Sequence, residues 1–317
     1  MRRFFKLSVS AGALVLLLAS FVGVGGSVFW FFDIFNHFRV QYLVASIVGL
    51  GLSLILRSRI LLWAYAAILL CNFGFIAPLY VAPFDHSVER SAPREISVVS
   101  YNTWARNDDW ESIKPALERG EPSIIYLTEL HPEIQARIEL LKSEFHIFRQ
   151  DSDAILVRRN AKLKPRLVTS SEVDALPGMV VALEDKEMEL IFLGIHPVAP
   201  LSREASRRRD QSFEEIASFV EEVDGIVILV GDFNATPWSL PFRRLQKRTG
   251  LINSQKGAGL QTTWPSYPGS YFNWLLRIPI DHCLHSPEIM TLDRSVAVAG
   301  KSNHNPIRVH LEIPVSR

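Results

Sequence analysis

The sequence predicts an α/β domain of mixed sheets carried behind three membrane-spanning helices. Three observations point there. Almost all of the excess apolar character of this 317-residue chain, whose mean hydropathy is +0.14, falls before Pro83. From Glu95 onward, short β-branched runs alternate with amphipathic stretches at helical spacing. Tight turns join some of the strands and helices join others, the mark of mixed sheets.

The N-terminal elements come first. Residues 7–32, 40–56 and 60–82 are nearly uncharged. A bilayer is crossed by roughly 17–25 apolar residues, so each stretch qualifies. The first also exceeds the roughly 7–15-residue apolar core of a signal peptide. Arg2, Arg3 and Lys6 precede the first span, and Arg57 and Arg59 separate the second from the third. Between the first and second stand only one Asp and one Arg, Asp33 and Arg39. The positive-inside rule puts the N-terminus in the cytoplasm and, after three spans, the remaining chain outside it. The division expected is an anchor over 1–82, a proline-bounded linker over 83–94 and a domain over 95–317. Cys71 lies in the third span and Cys283 in the domain, so no disulfide framework supports the fold. Lys and Arg total 34 against 33 Asp and Glu, so net charge gives no argument for a nucleic-acid partner.

Within the domain, "EISVVSY" reads as a strand and "WESIKPALERG" as a helix ending on Gly120. "SIIYLTEL" is a strand, "PEIQARIELLKSEF" a helix and "DAILVRR" a strand. "GMVVALED" and "MELIFLGIHP" form a hairpin about the charged turn 185–187. "SREASRRRDQSFEEIASFVEEV" is an amphipathic helix with Ser202 at its N-cap. The strands "GIVILVG", "IPIDHCLHS", "SVAVAG" and "PIRVHLEI" complete the order.

Six of these strands end on, or carry, an acid, amide or imidazole. They are Asn102, Glu129, His196, Asp232 with Asn234, Asp281 and His304. Any one alone is more simply a cap, a turn or a satisfied core histidine. Six together suggest strand ends converging on one cleft, where open sheets place their sites. Glu129 with Asn102 suits a hard divalent cation, Mg²⁺ (or Mn²⁺), because Mg²⁺ takes one or two carboxylates and keeps waters. Asp232 can accept a proton from an attacking water, and Asn234 can position that water or a phosphate oxygen. Asp281 can fix the tautomer of His304, leaving its other nitrogen for a phosphoryl oxygen, and His196 can approach from another side. The chemistry that fits is in-line displacement at phosphorus.

The motifs "SYNTW", "LTEL", "GIHP", "VGDFNATPW", "IPIDH" and "SNHNPI", in this order, resemble the endonuclease/exonuclease/phosphatase superfamily. "GDFNATPW" is the most specific of them, and the resemblance covers roughly residues 95–313. It implies a four-layer α/β sandwich, two mixed β-sheets face to face with helices outside. It implies a metal at Glu129 beside Asn102, water activation by Asp232 with Asn234, an Asp281–His304 pair, and phosphate binding by His196. Trp238 of the same motif is expected at the substrate. The three-span anchor resembles a bacterial membrane-bound branch, which puts the protein in the inner (plasma) membrane with a periplasmic domain. One residue departs from the family pattern. Ser302-Asn303-His304 stands where Ser-Asp-His is usual, so Asn303 offers the metal a carbonyl oxygen without a charge.

The substrate class stays open between a phospholipid head group, nucleic acid and a small phosphate ester; no obligate protein partner is implied. Basic residues 207–209 and Arg243, Arg244, Lys247 and Arg248 read as solvated helix faces before they read as a nucleic-acid track. Tyr271, Phe272, Trp274, Leu275 and Leu276, just before Asp281, read equally as loop packing and as a lip that dips into the bilayer, the remaining partner. A tethered binding protein, disabled by Asn303, is the alternative to an enzyme.

Overall fold

The computed structural model describes residues 2–27, 29–83, 94–161, 163–185, 188–267 and 272–314. Four α-helices open the chain: α1 (Arg2–Val22), α2 (Trp30–Ile34), α3 (Arg39–Ile55) and α4 (Arg59–Ile76). They supply three helical segments long and apolar enough to cross a membrane, Arg3–Val22, Trp30–Ile55 and Arg59–Tyr80. The first helix stops at Val22, ten residues short of the expected span end. Gly23, Gly25 and Gly26 follow, and glycine in a helix costs about 1 kcal/mol relative to alanine. Residues 33–39 are not an open loop. They continue α2 through a 3-10 turn into α3. The linker expected at 83–94 and Tyr271 lie largely or wholly outside the described residues, as do Lys186 and Glu187 of the predicted turn.

The domain follows as β1 (Arg94–Asn102), α5 (Trp110–Glu118), β2 (Ile124–Thr128), α6 (Pro132–Glu139), β3 (Phe145–Gln150) and β4 (Asp153–Arg158). Then come β5 (Lys164–Leu167), α7 (Ser171–Asp174), β6 (Gly178–Asp185), β7 (Met188–Ile195), α8 (Arg203–Glu222), β8 (Ile226–Asp232) and α9 (Leu240–Thr249). The last elements are β9 (Ile252–Asn253), α10 (Asn273–Leu276), β10 (Asp281–His285), β11 (Met290–Val296) and β12 (Ile307–Ile313). Two expectations shift. The helix predicted to reach Phe145 ends at Glu139, and Phe145 instead opens an edge strand paired with β4. The strand read from "SVAVAG" begins earlier, at Met290, and is bulged between Thr291 and Asp293.

Two six-stranded sheets result, ordered β11-β12-β1-β2-β4-β3 and β5-β6-β7-β8-β10-β9. In each, the one parallel pair sits near the centre, β1 with β2 and β7 with β8; the other described pairs are antiparallel. The inner faces meet in a single core, with Val98, Ile124 and Tyr126 from one sheet against Phe192, Ile228 and Val230 from the other. The outer face of the first sheet packs under α5 and α6, through Ile113 and Ile134. That of the second packs under α8 and α9, through Phe213 and Phe242. These are the four layers expected, and their central strands all end on one side.

Gly194 on β7 and Gly231 on β8 make room for the Tyr126 ring between the sheets. A Cβ at Gly194 would lie 2.5 Å from that ring. At Gly231, where φ is +148°, it would lie 1.9 Å from the Ile195 carbonyl oxygen. Overpacking a closed core costs about 1–3 kcal/mol. Gly194→Ala is therefore expected to lower the thermal midpoint of the full chain by roughly 3–10 °C. A melting curve followed by circular dichroism checks this; an unchanged midpoint would mean the sheets separate freely here.

Candidate active site

The six strand ends converge. Asn102 closes β1 and Glu129 follows β2, at φ +53°. His196 follows β7, and Asp232 closes β8. Asp281 opens β10 directly opposite Asp232 in the antiparallel register. His304 sits in the turn before β12. An apolar strand buries its flanks, but its last residue emerges at the edge of the sandwich, so the polar group there reaches the cleft.

Asp232 is at the centre. Its Oδ2 accepts from Asn102 Nδ2 at 3.1 Å and lies 3.6 Å from His304 Nε2 and 3.8 Å from His196 Nε2. Its Oδ1 accepts from the Asn234 backbone N–H at 2.9 Å. Asn102 Nδ2 also donates to Glu129 Oε1 at 2.8 Å, and its own carbonyl accepts from Trp104 N at 3.0 Å. That last bond fixes the amide: both N–H groups face carboxylates. His304 Nδ1 meets Asp281 Oδ2 at 3.0 Å. His196 Nδ1 meets the Thr128 hydroxyl at 2.8 Å, turning Nε2 toward Glu129 Oε1, 3.5 Å away.

The electrostatics follow from burial and proximity. Burial alone would lower the His304 pKa, but the Asp281 and Asp232 charges outweigh it and lift the imidazole to about 9. His304 is thus an imidazolium at neutral pH. Burial raises the Asp232 carboxyl above its ordinary range, against the pull of His304.

Asn303 is buried, and its Oδ1 has no hydrogen-bond partner, although its backbone carbonyl accepts from Ser266 N at 2.7 Å. Ser302 Oγ donates to the Asn102 carbonyl at 2.7 Å and accepts from His304 N, tying this turn to β1. Asn234, at φ +49°, donates through Nδ2 to the Pro197 carbonyl at 3.0 Å. Trp238, expected at the substrate, lies elsewhere. It is buried against Ile76 and Leu79 of the N-terminal bundle, and its indole N–H donates to the Phe75 carbonyl at 2.8 Å.

Sequence reasoning missed Thr128, Arg209 and Arg294. Thr128 orients His196. Arg294 is buried and donates to the Asp281 carbonyl at 3.1 Å. Arg209 belongs to a basic run that reads as solvated, yet it is buried and donates to the Asn234 carbonyl at 3.3 Å. Its signal was in the spacing: Ser206, Arg209, Phe213 and Ile216 share the buried stripe of α8. The basic residues of α9 fit the solvated reading better, for Arg248 is paired with Glu214 and Glu221 of α8.

Two face-to-face mixed sheets, with an acid–imidazole cluster where their central strands end, define the phosphoester-hydrolase class. The chain belongs to the Endonuclease/Exonuclease/phosphatase family, whose profile matches residues 99–304. No curated protein matches the sequence. Similar solved structures include D. rerio TDP2 complexed with a single-strand DNA product, at 14% identity and a TM-score of 0.57 over 68% of this chain and 98% of that one. A Bacteroides thetaiotaomicron protein of the same family gives 18% identity and 0.54 over 71% and 100%. The Neisseria 3' phosphatase NExo, bound to a product DNA hairpin, gives 19% identity and 0.52 over 68% and 98%. At such identities what is shared is the fold.

Proposed function

We propose that the protein is a membrane-anchored, divalent-metal-dependent phosphoesterase that hydrolyses a P–O bond by in-line attack of water. The observation carrying this reading is the convergence of Asn102, His196 and His304 on Asp232 Oδ2, with Glu129 joined to them through Asn102 and His196. Asp232, its proton affinity raised by burial, takes the proton of the attacking water. Asn234 has one amide N–H committed to Pro197 and a second left for that water or a phosphate oxygen. His304, held by Asp281 as an imidazolium, donates Nε2–H to a phosphoryl oxygen, and His196 Nε2 serves from the other side. Asn102 acts through the carboxylates it joins.

A divalent cation fits the residues present. Ligand atoms of Glu129, His196 and Asp232 lie within 4.8 Å of one another, and Asn303 Oδ1 is a buried acceptor lacking a donor. Glu129 and Asn303 would hold Mg²⁺ or Mn²⁺. Bound there, the ion supplies Lewis-acid polarisation of the phosphoryl group and neutralises developing charge.

A lipid phosphoester is the substrate class favoured. Phe272, Trp274 and Leu276 are 72%, 66% and 57% exposed, which argues against ordinary loop packing. Gln41, in the first turn of α3, donates to the Leu275 and Arg277 carbonyls at 3.2 Å, so these apolar side chains stand at the mouth end of a membrane-crossing helix. The domain then lies on the periplasmic face of an inner membrane, as the positive-inside rule requires.

The test uses the full chain in detergent or nanodiscs, with bis-p-nitrophenyl phosphate and with phospholipid vesicles against DNA. Turnover that needs Mg²⁺ or Mn²⁺ and stops with EDTA is expected. Restoring a charge with Asn303→Asp is expected to lower the half-saturating Mg²⁺ by about tenfold, roughly 1.4 kcal/mol. Turnover only in Asn303→Asp would favour a tethered binding protein. Preference for DNA would favour an anchored nuclease. No metal-dependent turnover in either chain would sink the phosphoesterase reading.

A further inference from the structure

Between the first two long N-terminal helices, α1 and α3, stands a set of polar side chains that a mere tether does not need. Asp33 and His37 are both buried. Asn36 Nδ2 of the bundle donates to Asp33 Oδ1 at 3.0 Å, but the other partners lie in the domain, in the segment directly after Asp232. His37 Nδ1 accepts from the Thr236 backbone N–H at 3.3 Å and lies 3.2 Å from the Thr236 hydroxyl. Asp33 Oδ1 accepts from Leu240 N at 2.9 Å, and Asp33 Oδ2 accepts from Ser239 Oγ at 2.8 Å. Leu240 is the first residue of α9, whose N-cap, Ser239, makes no side-chain capping bond of its own. Asp33 therefore caps α9 from the other end of the sequence, a carboxylate at the positive end of a helix.

A second line runs from the bundle to the site. Asp33 Oδ2 lies 3.5 Å from Arg209 NH2, and Arg209 NH1 donates to the Asn234 carbonyl. Asn234 is in the left-handed region, which costs a non-glycine residue unless its surroundings impose it. Three bonds impose it here: from Asn234 N to Asp232, from its Nδ2 to Pro197, and from Arg209 to its carbonyl. The first is also the bond that orients the Asp232 carboxylate. The 234–240 segment thus rests on the bundle at Thr236, Trp238, Ser239 and Leu240, and on Asp232 at its other end.

We propose that Asp33 and His37 are positioning residues for the Asp232–Asn234 turn, so that the N-terminal bundle is a structural part of the site. The kinetic consequence rests on the phosphoesterase reading; the structural consequence does not. A displacement of the order of 1 Å at a reacting group costs about 10²-fold in rate.

The experiment uses the full chain in nanodiscs and four variants. Asp33→Ala and His37→Ala remove the acceptors. His37→Asn keeps an acceptor near the place of Nδ1. Tyr65→Phe removes a buried bond within the bundle, to the Val9 carbonyl, far from the seam. Hydrogen exchange of the segment 232–241 is measured in each, with kcat and KM on bis-p-nitrophenyl phosphate. Exchange is expected to accelerate at least tenfold in the two alanine variants and to stay at the native rate in Tyr65→Phe. In the alanine variants kcat is expected to fall about 10–100-fold with KM within about twofold, and His37→Asn to recover most of it. Native exchange in both alanine variants overturns the proposal, as does faster exchange with undiminished kcat. An inactive native chain whose exchange still responds to Asp33→Ala and His37→Ala removes the phosphoesterase reading and leaves the structural coupling supported.

Discussion

Replacing Asp232 by asparagine is expected to lower kcat by about 10²–10⁴-fold, the range for losing a positioned proton acceptor. The change is nearly isosteric, so its effect reports chemistry more than shape. An amide cannot take a proton from water. It also cannot face every neighbour as a carboxylate does. Oδ1 accepts from Asn234 N, and Oδ2 accepts from the Asn102 NH₂ group. An asparagine satisfying the first turns its own NH₂ toward Asn102, donor against donor. His304 loses one of the charges that hold it protonated, so its pKa drops from about 9. The measurement is kcat for the full chain across pH. A variant retaining more than a tenth of native turnover would take Asp232 out of the role of base.

Acid is expected to unfold the domain well before its surface carboxylates explain it, and His282 is the cause. It is fully buried on β10 between Phe233 and Phe242, with ring centroids 5.3 and 4.6 Å away. Its Nε2 donates to the Ala235 carbonyl at 2.9 Å, which fixes the tautomer of the neutral ring. Burial pulls its pKa down to about 3, from 6.5 in the unfolded chain. The sign follows from proton counting. Above pH 6.5 neither state binds the extra proton, and stability is at its full value. Between 6.5 and 3 the unfolded chain binds it and the folded chain does not, so stability falls as pH falls, by about 1.4 kcal/mol per unit. His285, also pulled down by burial, acts in the same direction. His304 acts oppositely and in another window, since its contribution is complete below pH 6.5 and is lost as pH rises through about 9. Denaturant titration at pH 7.5 and 4.5 is expected to show a loss of about 3 kcal/mol from His282 alone. In His282→Gln that share of the pH slope should vanish; an unchanged slope would place the proton uptake elsewhere.

Much of this site could be read from sequence because its logic is local. A β-branched run fixes a strand, and the polar residue that ends it fixes which group reaches the edge. Asn102, Glu129 and Asp232 each follow from that rule, and Asp281 opens its strand opposite Asp232. What was not legible depends on partners distant in sequence. Arg209 looks solvated until its helix is docked, although its place on the apolar stripe was visible. Trp238 ends the most distinctive motif of the chain, but which way an indole turns depends on what covers it, and here that is residues 75–79. Phe145 reads as a helix end because its strand exists only through pairing with β4. Asp33 reads as a mere edge residue of a span because its partners are some 200 positions away.

That separation has a consequence for how the molecule is made. Leu240 leaves the ribosome 207 residues after Asp33. At about 5–20 residues per second the interval is roughly 10–40 s. Until Arg209 and then the α9 amide are made, 176 and 207 residues later, the Asp33 carboxylate has neither of these partners, and an unpaired charge is held at the water edge rather than buried. If the bundle inserts as proposed, its long helices have time to cross the bilayer, while the seat of α2 still waits for its partners in the domain. That seat is set only when α8 and α9 have formed, so docking the seam is a late event in folding. A domain that misfolds would leave the bundle without the contacts that Asp33 and His37 make to it.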